Sequence, residues 1–411
     1  MKLLKIAFLL LFVISGFACT ESQEIEPKEY SPIKLNLKSQ EILQSSNEFG
    51  ISLFKKVVED TEEPENVMIS PLSVSQALGM TWNGARGQTR DEMTNVLGFL
   101  VDNDKELNES NRIIREALLN ADNLVETNIA NSIWYKNTFQ INSGFVDINK
   151  QFYDAEVRPL DFSDAEGSKK TINNWVNDKT KGKIPEIVDE ITPDHIMFLI
   201  NAVYFKGKWK YEFKKDDTVD EPFHYVDGTT EDVKMMVQET DLDYFSTTGC
   251  RGVALPYGNE HFRMIVLLPD EDTNLNDFIS GLDENALSGY INSFQQHGVK
   301  VWLPKFKFEC DLELKKQLIK LGMVSAFTGS ADLSGMGTPS NLFISKVKHK
   351  TFVEVDEVGT EAAAVTSVEI ELTSIGPGSA IPFLVNRPFV FLIQEKDTGA
   401  ILFMGQVYKP E

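Results

Sequence analysis

The chain has 411 residues, of which 42% are hydrophobic and 10% aromatic, enough for a large packed core. Its 40 basic and 62 acidic residues give a formal net charge of −22. An acidic surface of this kind repels nucleic acid and anionic lipid, so we predict no nucleic-acid partner and interpret the acidity as a source of solubility.

The N-terminus has the pattern of a signal peptide over residues 1–18. Lys2 and Lys5 come first, an apolar run too short to span a bilayer follows, and small residues stand before Cys19. We therefore predict that the protein is exported.

Two routes of processing fit the residues around Cys19. Gly16 and Ala18 suit ordinary cleavage before Cys19. Cys19 itself resembles the lipid acceptor of a bacterial lipoprotein, although Gly16 stands where such signals usually carry leucine. The polar residues 19–38 suit a flexible tether from a membrane anchor. We favour an outer-membrane or cell-surface lipoprotein over a free periplasmic or secreted protein, with membrane contact only through the lipid.

Hydrophobic periodicity predicts helices early in the chain and strands later. The predicted helices cover residues 40–58, 70–78, 88–97, 108–125 and 169–188, the last one closed by Lys181-Gly182. The predicted strands cover residues 66–69, 129–135, 196–205, 233–237, 252–256, 264–268, 300–308, 351–355, 389–394 and 400–407. This order favours an α+β fold over a doubly wound sheet, and the even composition favours one domain over residues 39–411.

Catalytic and metal-binding motifs are missing from the sequence. There is no G-x-S-x-G elbow, no Walker loop and no H-E-x-x-H or Cys/His ligand spacing. We predict a protein that is not an enzyme, without cofactor or metal. Besides Cys19, only Cys250 and Cys310 occur; we interpret both as small buried side chains, and the sequence leaves their pairing open.

Residues 356–372, DEVGTEAAAVTSVEIEL, combine the pattern of a strand with the setting of a loop. One alternating face consists of Thr360, Ala362, Ala364, Thr366, Val368, Ile370 and Leu372. The other face is more polar, which is typical of a half-buried strand. The next residues, TSIGPGSAIP, are typical of a flexible exposed loop. A strand-like segment joined to such a loop indicates a conformational switch.

Six segments, in order along the chain, resemble those of the serpins. They are NVMISPLSVSQALGMTWNGARGQTRDEM (66–93), INNWVNDKTKGKIPEIV (172–188), LINAVYFKGKWKYEF (199–213), LPKFKFECDLELKKQLIKLGM (303–323), ISKVKHKTFVEVDEVGTEAAA (344–364), and NRPFVFLI with TGAILFMGQV (386–407). The resemblance implies three helix-covered β-sheets, about eight or nine helices and an exposed reactive loop near the C-terminus, here residues 356–377.

The resemblance also implies a mechanism. A serine protease attacks the loop and forms an acyl-enzyme, and the loop then inserts into the central sheet, which distorts the protease before the ester hydrolyses. The hinge for this insertion corresponds to Glu357, Gly359, Thr360, Glu361, Ala362, Ala363 and Ala364. Gly359 is expected to give backbone freedom, and no large group, charge or proline stands at positions 360, 362 or 364.

The family's usual spacing from Gly359 places the scissile bond at Thr373-Ser374, with Leu372 and Ile375 as alternatives. No lysine or arginine lies between Glu361 and Asn386. A trypsin-like protease requires a basic residue before the cut, so we predict an elastase-like target first and a chymotrypsin-like one, acting at Leu372, second. A protease cutting after Glu371 is a third alternative.

Further positions correspond to structural parts of the family. Ser70, Ser73, Asn201 and His349 match a polar cluster beneath the middle of the central sheet, although His349, between Lys348 and Lys350, would without the resemblance be interpreted as an exposed strand histidine. Trp209 matches the tryptophan where insertion begins. Residues 102–120 lack the basic helix of heparin-activated relatives, so we predict no heparin activation.

The leading hypothesis is therefore a monomeric bacterial serpin that inhibits serine proteases through a covalent acyl complex. A papain-like cysteine protease is a further conceivable target, because the trap needs only an acyl-enzyme. The alternative is a non-inhibitory serpin that acts as a binding or carrier protein. A hydrolase on an unrelated fold is a third hypothesis, which the six matched segments oppose.

Overall fold

The computed structural model describes residues 30–61, 64–101, 103–338, 342–360 and 380–410. The predicted signal peptide, Cys19 and residues 361–379 of the reactive loop lie outside the described residues. No helix in the described ranges is long and apolar enough to cross a membrane.

The described ranges contain nine α-helices, several of which begin at a side chain that accepts a free N–H of the first turn. Asn36 accepts from Ser39 N at 2.8 Å, and Ser70 caps a helix whose first residue is Pro71. The helices are α1 (Leu37–Glu59), α2 (Pro71–Trp82), α3 (Gly87–Leu97), α4 (Asp104–Leu119), α5 (Ser143–Tyr153), α6 (Ala165–Lys179), α7 (Leu275–Ser280), α8 (Glu284–Asn292) and α9 (Lys315–Leu321).

Seventeen strands lie within the same ranges. They are β1 (Val67–Ile69), β2 (Val125–Lys136), β3 (Gln140–Ile141), β4 (Glu156–Leu160), β5 (Met197–Lys208), β6 (Val219–His224), β7 (Thr230–Thr247), β8 (Cys250–Tyr257), β9 (Phe262–Pro269), β10 (Gln295–Pro304), β11 (Phe306–Glu313), β12 (Gly337–Thr338), β13 (Lys348–Val355), β14 (Gly359–Thr360), β15 (Ile381–Leu384), β16 (Phe389–Glu395) and β17 (Ile401–Val407).

The strands form three sheets, so the predicted α+β class and sheet number are confirmed. A six-stranded sheet has the order β11-β13-β14-β5-β2-β4. A nine-stranded sheet has the order β1-β17-β16-β9-β8-β7-β10-β15, with β6 paired to β7, and β12 pairs with β3. The central sheet of the predicted mechanism is the six-stranded one, because it contains the hinge residues Gly359 and Thr360.

The main core lies between the two large sheets. The Phe306 ring on β11 is 5.3 Å from Phe391 and 5.8 Å from Phe389, both on β16 of the other sheet. A smaller apolar cluster packs α6 and the segment after it against the outer face of the six-stranded sheet, and it includes Trp134, Ile172, Val176, Ile184, Ile187, Val188, Ile200 and Ala202. The six-stranded sheet is thus covered on both faces.

Two predicted elements differ from the observed ones. The predicted strand over 300–308 is two strands, β10 and β11, which belong to different sheets and meet at Lys305. The apolar pattern runs through the junction because both strands face the core. The predicted helix over 108–125 is α4, which begins earlier because Asn103 accepts from Glu106 N, and residue 125 already belongs to β2.

The end of the predicted tether is ordered by contacts with the domain. Ile33 N donates to Asp397 Oδ2 at 2.9 Å, and the Tyr30 hydroxyl donates to the other oxygen of Asp397. Helix α1 then starts at Leu37, two residues before the predicted domain boundary at residue 39.

The sheet-to-sheet core predicts a large stability loss for Phe391→Ala. Phe391 is fully buried, so its truncation should lower the free energy of unfolding by about 3–5 kcal/mol. Phe343 is 53% exposed, and Phe343→Ala should change it by less than about 0.5 kcal/mol. Urea unfolding followed by circular dichroism measures both, and equal losses would contradict this packing.

Candidate functional site: the docked hinge and the cleft below it

The hinge residues Gly359 and Thr360 already form a strand of the six-stranded sheet. Thr360 pairs with Val355 on β13 and with Gly207 on β5, and Gly359 pairs with Lys208. Both pairings are antiparallel, so β5 and β13 run parallel to each other on either side of β14. A longer β14 would therefore find an antiparallel neighbour on both sides.

Gly359 is required by a close approach of two backbones. A Cβ at this position would lie 2.1 Å from Gly207 O and 2.8 Å from the Lys208 Cα. Neither backbone atom can move aside without opening the sheet. Gly359 does not adopt a positive φ, so the physical reason for glycine here is the close approach of Gly207 rather than the expected backbone freedom.

The Thr360 side chain is buried and fixed by a tyrosine of the other large sheet. Its hydroxyl lies 2.5 Å from the Tyr257 hydroxyl. Burial raises the pKa of Tyr257, so the phenol stays neutral and either hydroxyl can donate. Tyr257 stacks on Trp209 with ring centroids 4.4 Å apart and planes 13° apart.

Trp209, predicted to mark the start of insertion, contacts the hinge segment directly. Its backbone N donates to Val358 O, and its indole Nε1 donates to Asp356 O, both at 2.9 Å. Asp356 in turn accepts from the backbone N of Val358 at 2.9 Å and of Gly359 at 3.2 Å. This side-chain turn aims the chain into the sheet.

Glu357 anchors the hinge through an ion pair in which the carboxylate is buried and the Lys305 side chain is partly exposed. Lys305, at the junction of β10 and β11, donates to its two oxygens at 2.9 and 3.2 Å, and Thr218 donates at 2.9 Å. Burial acts to raise the pKa of Glu357, but the hydrogen bonds from Lys305 and Thr218 outweigh it and lower the pKa below its usual value. The carboxylate is therefore charged at neutral pH.

A narrow cleft continues from Thr360 between β5 and β13. Its side walls are residues 203–205 and 352–354, its floor is formed by Met68, Ile393 and Phe403, and its roof by Thr180, Lys183 and Ile184. The cavity volume is about 20 Å³, room for a water molecule but not for a strand. Insertion therefore requires that β5 and β13 separate.

Lys183 holds the roof of this cleft against β13. Its Nζ lies 3.3 Å from Glu354 Oε2 and 4.6 Å from the centre of the Phe352 ring. Lys183 follows α6, whose end is marked by positive φ at Lys181 and Gly182. Separation of β5 from β13 must disturb this contact, so it lies on the path of insertion.

The predicted polar cluster is only partly connected. Ser70 N donates to His349 Nε2 at 2.9 Å, and Ser73 N donates to Ser70 Oγ at 3.3 Å, which joins the start of α2 to β13. Asn201 on β5 instead donates to Asn131 at 2.7 Å. Asn201 and His349 nevertheless lie at one level of the sheet, because each stands six residues before the partner of Thr360 on its own strand (207 − 201 = 6 and 355 − 349 = 6).

His349 is buried, so the exposure suggested by its position between two lysines was wrong; its side chain lies on the same alternating face of β13 as Thr351, Val353 and Val355. Lys348 and Lys350 on either side both pair with Asp311, while the imidazole turns to the interior. Burial lowers the pKa of His349 to about 4. The neutral ring can then accept from Ser70 N through Nε2.

Cys250 and Cys310 are free and buried, which confirms their interpretation as small interior side chains. Burial raises the pKa of Cys250 to about 12 and that of Cys310 to about 11, so neither is a thiolate at neutral pH.

Helix α4 carries both charge signs, with Lys105 paired to Glu109 and Arg112 to Glu116.

The remaining predicted site residues lie outside the described residues. These are the hinge positions Glu361, Ala362, Ala363 and Ala364 and the scissile-bond candidates Leu372, Thr373, Ser374 and Ile375. Sequence reasoning also missed three partners of the hinge, Tyr257, Lys305 and Thr218. No motif marks them, since each lies at least 50 residues from the hinge in the chain.

Comparison with known proteins identifies the class of fold. A family model described as Serpin (serine protease inhibitor) matches residues 44–410. The chain is 37% identical over 376 residues to a leukocyte elastase inhibitor of Xenopus laevis, covering 88% of this chain and 97% of that protein. It resembles the thermophilic serpin Tengpin in the native state, with a TM-score of 0.82, 34% identity and coverage of 94% and 97%.

A further similar structure is thyroxine-binding globulin in complex with thyroxine, with a TM-score of 0.81, 27% identity and coverage of 90% of this chain and 99% of that one. The family match and the identity over almost the whole domain are decisive. The chain belongs to the serpin family, which is described as a family of serine protease inhibitors.

The contact at Gly359 predicts that Gly359→Ala releases the hinge from the sheet. The added Cβ has no room beside Gly207, so the buried Glu357 should become accessible, and cleavage after it by a Glu-specific protease should accelerate about tenfold or more. Mass spectrometry of a digestion time course identifies the cut. Gly281→Ala is the control, because its Cβ would meet no atom nearer than 3.5 Å; equal rates for both variants would refute the docked hinge.

The burial of His349 predicts a loss of stability in mild acid. The unfolded chain takes up a proton near pH 6.5 while the folded imidazole stays neutral down to about 4. Stability is therefore fully present above pH 6.5 and falls by roughly 3 kcal/mol as the pH drops towards 4. Urea unfolding between pH 7.5 and 4.5 should show a shallower loss for His349→Gln than for wild type. The exposed His224→Gln should follow wild type, and identical slopes for all three would contradict this assignment.

Proposed function

We propose that the protein is a suicide-substrate inhibitor of serine endopeptidases, which it traps by inserting residues of the loop 356–377 into the six-stranded sheet. The observation that carries the proposal is the docked hinge. Gly359 and Thr360 stand between β13 and β5, with antiparallel partners on both sides and a cleft ahead of them. Insertion of the loop would therefore extend β14 and leave the order of the strands in the sheet unchanged.

The chemistry of the trap belongs to the protease. Its serine Oγ attacks the carbonyl carbon of the scissile residue, the peptide C–N bond breaks, the new amino terminus takes up a proton, and an ester joins the loop to the protease. The freed loop then inserts between β5 and β13 as an added strand. Each added residue would gain antiparallel backbone hydrogen bonds to β5 on one side and to β13 on the other, as Thr360 has already done. That gain drives the attached protease along the sheet.

The composition of the loop supports the direction of insertion and the class of target. Positions 360, 362 and 364 are threonine and alanine, which fit a closed cleft between two strands. No basic residue occurs between Glu361 and Asn386. We therefore infer elastase-like specificity with cleavage at Thr373-Ser374, or chymotrypsin-like specificity at Leu372. The similarity to a leukocyte elastase inhibitor agrees with the first target.

The second candidate function is a non-inhibitory carrier, and the similarity to thyroxine-binding globulin in complex with thyroxine favours it. The small side chains at the hinge favour inhibition instead, since a carrier has no need of an insertable strand. Because the sequence predicts a signal peptide followed by Cys19, we propose that the inhibitor is exported and anchored by lipid. It would then meet proteases at the cell surface.

Incubation of the purified protein with pancreatic elastase, followed by a denaturing gel, tests the inhibitor. The expected result is a covalent complex that survives boiling in detergent. Cleavage of the loop without such a complex would reject trapping and leave the carrier.

Thr360→Arg tests the route of insertion. A guanidinium in the buried position beside Tyr257 would be costly and would block the first step into the cleft, so this variant should be cleaved as a substrate without forming complex. Thr248→Arg, in the exposed turn between β7 and β8, makes the same chemical change elsewhere and should trap elastase like the wild type. Complex formation by both variants to the same extent would refute insertion at Thr360.

A further inference from the structure

Three side chains that can bind a metal meet at one edge of the nine-stranded sheet, where β9 begins and β16 ends. His261 precedes β9, Glu395 ends β16 and Asp397 lies in the turn to β17. The strands β9 and β16 are antiparallel neighbours, with Phe262 opposite Glu395. One ligand atom from each of the three side chains lies within 4.8 Å of the other two, so the pairing of the strands itself assembles the group.

His261 supplies the observation that points to a missing ligand. The residue is 4% exposed, and its Nδ1 has no hydrogen-bond partner. Nδ1 faces Asp397 Oδ2 across 3.6 Å, too long for a hydrogen bond. A buried ring nitrogen without a partner is costly and uncommon, whereas a bound cation would satisfy it.

The two carboxylates retain the capacity to bind a cation. Glu395 is fully buried and accepts from the backbone N of Asp397 and Thr398, and Asp397 accepts from Tyr30 and Ile33. Glu395 Oε2 also accepts from the Thr398 hydroxyl, so both of its lone pairs are occupied, whereas Glu395 Oε1 and the two oxygens of Asp397 each keep one. Within the described part of the chain, neither carboxylate forms a salt bridge with a lysine or arginine.

The neighbouring cationic groups are engaged elsewhere. Arg263 donates to the Gln394 side chain at 2.9 Å, and Lys396 lies 3.8 Å from Glu260. Two carboxylates and an imidazole nitrogen thus adjoin one another without a direct lysine or arginine contact in the described part of the chain, although Arg263 is near enough to Glu395 for an electrostatic interaction. The Tyr30 ring stacks on His261 with centroids 4.5 Å apart and covers the group from the side of the N-terminal segment.

We propose that His261, Glu395 and Asp397 form a binding site for a divalent cation of the zinc type. Imidazole nitrogen with carboxylate oxygen suits Zn²⁺, with bonds of about 2.0–2.2 Å and ligand atoms about 3.4 Å apart. The His261–Asp397 separation of 3.6 Å is already close to this value, and the half-buried turn lets Asp397 adjust. The fourth position is left for water.

The site would also fasten the N-terminal segment to the domain. Asp397 accepts from both Tyr30 and Ile33, so a cation that fixes Asp397 fixes the point where the chain leaves the predicted tether. No sequence motif indicates this site, because His261 lies 134 residues from Glu395 (395 − 261 = 134) and no ligand spacing connects them.

Equilibrium dialysis of the tag-free protein against ZnCl₂ with excess Mg²⁺, followed by metal analysis, tests the site. The expected result is ~1 tightly held zinc ion per chain for wild type. His261→Phe keeps a ring to stack on Tyr30 but has no nitrogen, so it should lose this ion. His224→Phe, on the exposed strand β6, should keep it. Asp397→Asn, in the turn, gives a second variant that should weaken zinc binding if His261→Phe fails to fold.

The proposal would be overturned if the wild type retained no more zinc than His261→Phe or Asp397→Asn. Displacement of the zinc by equimolar Ca²⁺ would overturn the assignment to a zinc-type cation, because a calcium-like site prefers oxygen ligands alone. The readout is metal content and does not depend on protease inhibition, so the result is separate from that of the proposed function.

Discussion

The position of Thr360 between β5 and β13 is the constraint on which the rest of the site depends. These two strands run parallel, and the two residues of β14 separate them at one end. The separation is stabilised by the hydroxyl contact between Thr360 and Tyr257 and by the stacking of Tyr257 on Trp209. Below Thr360 the cleft between residues 203–205 and 352–354 holds only about 20 Å³, although no strand pairing joins β5 directly to β13 in the described ranges.

The contacts that hold the hinge come from both large sheets. Lys305 lies where β10 of the nine-stranded sheet gives way to β11 of the six-stranded sheet, and it binds Glu357. Tyr257 belongs to β8 of the nine-stranded sheet and binds Thr360. A change in the angle between the two sheets would therefore reach the hinge through two independent side chains, one charged and one aromatic.

Much of the fold could be predicted because local patterns and family segments agree. Ser70-Pro71 marked the start of α2, and alternation marked β13, including its burial of Val353 and Val355. The flanking lysines Lys348 and Lys350 gave no reason to bury His349, although it shares the inward face of β13 with Val353 and Val355, and its hydrogen bond comes from Ser70 in a distant part of the chain. Gly359 was assigned to the hinge from the family resemblance, but its close approach to Gly207 arises only once β5 lies beside it. Side chains such as Tyr257 and Lys305 carry no local signal at all.

His349 and Asn201 mark a fixed distance along the sheet from Thr360, which a loop inserting as proposed would have to cover. If the antiparallel register of Thr360 with Val355 and Gly207 continues, each further loop residue faces the preceding residue of β13 and of β5. The sixth, Thr366, then stands between His349 and Asn201 with its side chain on the same face as that of Thr360, about 20 Å along the sheet. An incoming hydroxyl would arrive where Ser70 N now donates to the imidazole. A loop that inserts as proposed would first pass the Lys183–Glu354 contact, and at the level of His349 and Asn201 it would have to replace the hydrogen bond that joins the sheet to helix α2.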